Sequence, residues 1–229
     1  MAKGGLPGIG NLSVVFAVMA FGGKPAVGIL LPVLIAADIV SVSIYKRHAS
    51  WATVFRLIPW TFIGLGVGYL LMDRLSSEQV RVGIGILVLS LAIIFGLKKY
   101  LMSPEQLDHI FQRSIFRWIS GLLVGVSTLL ANAAGPIAQL YFLSIKLPPL
   151  PFAATTACFF IIINLIKVPL FVSLGLFTQT GLQTSLLLAP IAMGGVWIGK
   201  YLFLRLNRSV FETLVWIFVV VAGCKLVWF

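Results

Sequence analysis

A chain of 229 residues that is 60% hydrophobic and only 10% charged carries apolar runs that a soluble domain of this size has nowhere to bury, so a soluble fold is excluded. The net charge of +11 would suggest nucleic acid in a soluble domain, but here the cations fall mostly between apolar segments, where membrane topology accounts for them. The sequence therefore reads as an all-α integral membrane protein that binds no nucleic acid.

The chain opens on a break. Lys3-Gly4-Gly5-Leu6-Pro7-Gly8-Ile9-Gly10-Asn11 interrupts what otherwise reads as membrane from Leu12 to Phe21, and Met1-Ala2-Lys3 followed by Gly and Pro lacks the pattern of a cleavable signal. Runs of about 20 apolar residues then predict spans over Ala26–Tyr45, Val54–Met72 and Val80–Leu97. Ser103-Pro104-Glu105-Gln106 has the signature of a helix start, and Leu107, Ile110 and Phe111 share one face. Residues 103–116 are thus expected as a cytoplasmic surface helix linking a first membrane repeat (1–102) to a second (117–229). Arg117–Leu130 is expected to enter the membrane without crossing it, and Ala131-Asn132-Ala133-Ala134-Gly135-Pro136 forms a second break. Ile137–Ile145 carries the chain back out. Spans over Pro151–Leu174, Leu182–Leu204 and Val210–Val227 complete the chain. Cys158 and Cys224 fall inside apolar segments and read as small buried hydrophobes.

The halves repeat. Pro59, Gly64, Gly68, Leu71, Arg74 and Leu75 recur as Pro190, Gly195, Gly199, Leu202, Arg205 and Leu206 at one constant offset. With a slightly shorter offset, Gly10 falls on Gly135 and Asp38 on Asn164. Charge decides the symmetry. If each broken segment dips in and returns, every repeat has three crossings, and the halves are inverted. Lys46, Arg47, Arg56, Lys98, Lys99, Arg113, Arg117, Lys146, Lys200, Arg205 and Arg208 then share one face, leaving Lys3, Lys24, Arg74, Arg81 and Lys225 on the other. By this symmetry a half-helix would precede Lys3, so either the chain starts late or the first hairpin is open on one side.

Two Gly/Pro-interrupted segments at corresponding positions of two halves point to the binding site of a secondary transporter. Broken helices present unpaired N–H groups and the positive ends of their dipoles, which suit an anion. Gly8, Gly10 and Asn11 open one half-helix; Ala133, Ala134 and Gly135 open the other. For Gly64, Gly68, Gly195 and Gly199 close helix packing is the preferred reading. Asp38 and Lys167 are the ionisable groups well inside apolar spans, where charge is costly enough to suggest function. Asp38 suits a proton or counter-ion site, with a structural carboxylate as the equal alternative. Lys167 suits an anionic substrate and shares a helical face with Asn164. Asn132, Gln139 and Asn164 join them as buried hydrogen-bonding groups, and Lys3 lies beside the first break. His48 and His109 read as solvated loop residues. No metal-ligand cluster, Ser-His-Asp arrangement or phosphate-binding loop is evident, so no cofactor or ATP-driven chemistry is expected.

Taken in order, Lys3-Gly4-Gly5-Leu6-Pro7-Gly8-Ile9-Gly10, then Gly28-Ile29-Leu30-Leu31-Pro32 leading to Asp38, then Asn132-Ala133-Ala134-Gly135-Pro136 with Gln139 and Tyr141, then Asn164-Leu165-Ile166-Lys167-Val168-Pro169 resemble the TauE/SafE sulfite exporter family. The resemblance implies a permease for sulfite, organosulfonates or related sulfur anions in a bacterial inner membrane. Members often carry His where this chain has Asn132, so it implies no titrating group there. The combined expectation is an anion held at the midplane between two broken helices. The rivals are an anion channel, an accessory subunit, or an enzyme of a membrane complex, for which Asp38 would lack a His partner. The partners implied are a small anion and the lipid bilayer, with homo-oligomerisation left open.

Overall fold

The computed structural model describes residues 17, 20–21, 23–72 and 114–203, with scattered positions between 74 and 93 and between 210 and 227. Its regular elements are helices: α1 (Gly23–Tyr45), a short 3-10 turn (Lys46–His48), α2 (Trp51–Leu71), α3 (Ser114–Ala131), α4 (Gly135–Ser144), α5 (Pro149–Ser173) and α6 (Gln179–Phe203). Five of the described helices are long and apolar enough to cross a membrane, Lys24–His48, Trp51–Leu71, Ser114–Ala131, Pro149–Ser173 and Gln179–Tyr201. Four of them fall on predicted spans. The predicted spans Val80–Leu97 and Val210–Val227 lie largely outside the described residues, as does most of the linker at 103–116 and the whole of the first break. Ser76 and Gln79 nonetheless exchange side chain to backbone bonds of 3.0 and 3.1 Å, a reciprocal capping pair.

α1 and α5 form the centre and run antiparallel. Gly28, near the start of α1, lies against the Leu176 carbonyl beyond the end of α5. Asp38 meets Asn164 at mid-length, and Ser50, just past α1, donates its N–H to Thr155 near the start of α5. α6 lies parallel to α1: the Ser185 hydroxyl reaches the Ile29 carbonyl at 2.7 Å, and Val196 packs on Ala37 and Val40. α2 lies parallel to α5, with the Ser173 hydroxyl near that of Tyr69 and Thr155 beside Ser50.

α3 packs along α2 through small residues. A methyl group added to Gly125 would collide with the Thr61 carbonyl, and one added to Gly64 with that of Leu122; Gly121 and Gly68 sit in the same seam. Such residues let two backbones approach where lipid supplies no hydrophobic drive for helix association. The packing role expected for Gly64 and Gly68 is thereby visible. Side chains on the outer faces are apolar and open, with Leu186, Leu187 and Ile191 72–75% exposed, as lipid contact requires.

Two expectations are corrected in detail. α3 begins at Ser114 and spans 18 residues, about 27 Å at 1.5 Å per residue, so the last residues assigned to the linker form its first turn and it is longer than the half-helix expected. Cys158 is buried but Cys224 is exposed, because an apolar residue on a membrane helix can face outward as well as inward.

Candidate functional site

The chain breaks between α3 and α4 for local reasons. Asn132 adopts φ 51°, the left-handed conformation that Asn tolerates better than most residues, and its N–H returns to the Thr128 carbonyl at 3.0 Å. This is the simple left-handed helix cap. Gly135 and Pro136 then open α4, whose 10 residues extend only about 15 Å. Phe116, at the start of α3, stacks on Tyr141 of α4 with ring centroids 5.9 Å apart, so α4 turns back along α3.

Lys167 of α5 is 0% exposed. Its ammonium donates to the Thr128 carbonyl at 3.2 Å, to the Thr128 hydroxyl at 3.1 Å and to Asn132 Oδ1, and it lies 5.4 Å from the centroid of the Phe171 ring. The cation thus sits on the C-terminal end of α3, where the macrodipole is negative, and shares the Thr128 carbonyl with the Asn132 N–H. Asn132 Nδ2 in turn donates to the Val27 carbonyl of α1 at 3.0 Å. One lysine and one asparagine therefore tie α1, α3 and α5 together at the break.

A second polar layer lies about one turn along α5. Asn164 Nδ2 donates to Asp38 Oδ2 at 2.7 Å, and both residues are at most 1% exposed. Charged side chains inside a membrane fold are held by such partners or by a ligand. Asn164 Oδ1 and Gln139 Oε1 are buried and have no hydrogen-bond partner among the described residues. Gln139 stands one turn into α4, and helical side chains lean toward the N-terminus, so it leans toward the break.

Of the residues expected at the site, Asn132, Asn164, Lys167 and Asp38 are brought into two adjacent buried layers. Ala133 and Gly135 form the break itself, with Gln139 on the same short helix. Lys3, Gly8, Gly10 and Asn11 lie outside the described residues. His48 is in the exposed 3-10 turn, as expected, and His109 is outside the description. Among the described residues no group of His, Cys, Asp and Glu could hold a metal ion. Thr128 and the Val27 carbonyl were not anticipated. A signal for Thr128 existed: it stands four residues before Asn132, on the same helical face.

These features define a multi-pass helical membrane protein with a polar centre built around a broken helix, the general form of a membrane transporter. The chain matches the family model described as Sulfite exporter TauE/SafE over residues 2–226, nearly its whole length, and it belongs to that family of membrane transporters. No curated protein matches the chain, and no solved structure does.

Proposed function

We propose that the chain is a secondary permease of the inner membrane for small sulfur oxyanions such as sulfite or organosulfonates, built from two inverted repeats around a midplane site. The observation that carries this reading is the fully buried Lys167 ammonium at the α3–α4 break. A cation at such depth is costly unless it serves an anion or is well partnered, and the first turn of α4 offers backbone N–H groups to the same region. Ala133, Gly135, Asn132, Gln139, Asn164 and Lys167 supply the second half of the site in this proposal. Lys3, Gly8, Gly10 and Asn11 supply the first, and Asp38 is the proton or counter-ion site.

Inversion is supported by the repeat itself. Asp38 and Asn164, 126 residues apart, occupy equivalent positions and touch. Gly23 and Pro149 begin α1 and α5 at that same separation. Equivalent helices that run antiparallel are what inverted halves require, since parallel halves would align them. The return of α4 along α3 supports a re-entrant hairpin.

The test is flux into proteoliposomes that contain only this protein, comparing sulfite, thiosulfate, sulfate and a sulfonate. Saturable uptake of sulfite or the sulfonate, competed by the other, is expected. Flux no greater than that of empty liposomes for all four would reject the reading, and non-saturating flux would indicate a channel.

A further inference from the structure

We propose that Thr128 contacts the transported anion directly, its hydroxyl aligned for that contact by Lys167. The inference rests on the transport reading above and adds a residue to it. An ammonium can only donate, so in the 3.1 Å contact between Lys167 Nζ and Thr128 Oγ1 the hydroxyl is the acceptor. Its own proton therefore points away from Lys167. Several other buried hydroxyls use that proton on a carbonyl of their own helix, Ser41 on Ala37, Thr61 on Leu57, Ser127 on Leu123 and Ser144 on Tyr141, whereas Thr155, which accepts from the Ser50 N–H, and Thr156 make no such bond among the described residues. Thr128, only 2% exposed, makes no such bond among the described residues. A buried donor without an acceptor is destabilising, and an anion oxygen at the break supplies the acceptor.

Charge reaches the anion through this hydroxyl. The Lys167 ammonium donates to the Thr128 carbonyl, the Thr128 hydroxyl and Asn132 Oδ1. Lys167 polarises the O–H and strengthens the bond it gives. The ligand class is a small anion with an oxygen acceptor.

The sequence repeats the couple with its roles exchanged. At the spacing that puts Asp38 on Asn164, Ser41 falls on Lys167. At the spacing that puts Gly10 on Gly135, Lys3 falls on Thr128. Each half thus carries one cation and one hydroxyl at these two positions.

The experiment measures sulfite binding by the purified full chain and sulfite flux in proteoliposomes for Thr128→Ser, Thr128→Val and Thr61→Val. Thr128→Ser should keep the Kd within about threefold. Thr128→Val should raise it at least about tenfold, the loss expected for one hydrogen bond to a charged group. Thr61→Val, whose hydroxyl serves Leu57, should bind as the wild type does. Thr128→Ala replaces the Val variant should the latter not fold. A folded Val or Ala variant with a lowered Tm but the wild-type Kd would make Thr128 structural and overturn the proposal, with transport still standing. Wild-type protein that neither binds nor moves sulfite would overturn the transport reading on which it rests.

Discussion

An ammonium buried in a membrane fold is stable only while its donors are satisfied, and Lys167 finds acceptors on the last turn of α3 and on Asn132. Lys167→Met leaves the Asn132 carbonyl oxygen without that donor and removes the cation from the helix end. A stability loss of about 1–3 kcal/mol is expected, together with a fall of at least about tenfold in sulfite affinity. Lys167→Arg should keep part of the affinity, since charge persists while geometry changes. Were Lys167 instead a structural partner of Asp38, the double variant Asp38→Asn with Lys167→Met would regain stability and flux together. Melting curves and flux for both singles and the double decide the matter. Asp38, Asn132, Asn164 and Lys167 were legible in the sequence because polar groups are rare inside apolar spans. Thr128 was not, because a hydroxyl on a membrane helix ordinarily bonds its own backbone. That the Thr128 hydroxyl accepts from Lys167 depends on where α5 places that lysine, and that is a tertiary fact.

At the scale of elements, the seam between α2 and α3 carries the clearest stability prediction. Gly125 has the Thr61 carbonyl and the Gly64 backbone where a Cβ would stand, so Gly125→Val must push the two helices apart. The expected result is a Tm lowered by several degrees or loss of folded protein, an overpacking cost of about 1–3 kcal/mol or more. Gly66, also on α2, has nothing within 4 Å of an added Cβ, and Gly66→Ala should leave the Tm within about a degree. An equal Tm loss at both positions would refute the packing account. Four spans were legible from hydropathy alone, since a run of about 20 apolar residues admits few alternatives. The start of α3 was misread because Ser114, Ile115 and Phe116 follow a polar stretch with its own helix-start signature. A packing role for Gly64 and Gly68 was legible from small residues on a membrane helix, but their partners Gly121 and Gly125 were not, since glycine spacing does not say which helix is the neighbour.

For the molecule as a whole, the paired antiparallel course of α1 and α5 ties the membrane orientation of one half to that of the other. The excess of Lys and Arg on one face predicts that the turn at Lys46–His48 is cytoplasmic and the loop at Thr178 periplasmic. In a background lacking Cys158 and Cys224, a cysteine at Thr178 should react with an impermeant reagent added outside intact cells, and one at Lys46 should react only after lysis. The reverse pattern would invert the orientation, and equal outside labelling would discard the topology.

The bond between Asp38 and Asn164 has a further consequence if the halves are inverted copies. A contact between equivalent residues is its own mirror under the exchange of the halves, so the two access states share one hinge pin instead of breaking one contact to form another. Were both residues Asn, the pin would be indifferent to direction. The single carboxylate is then one of the differences that make the two states unequal, and Asp38→Asn should narrow the gap between their populations while leaving exchange of anion for anion intact.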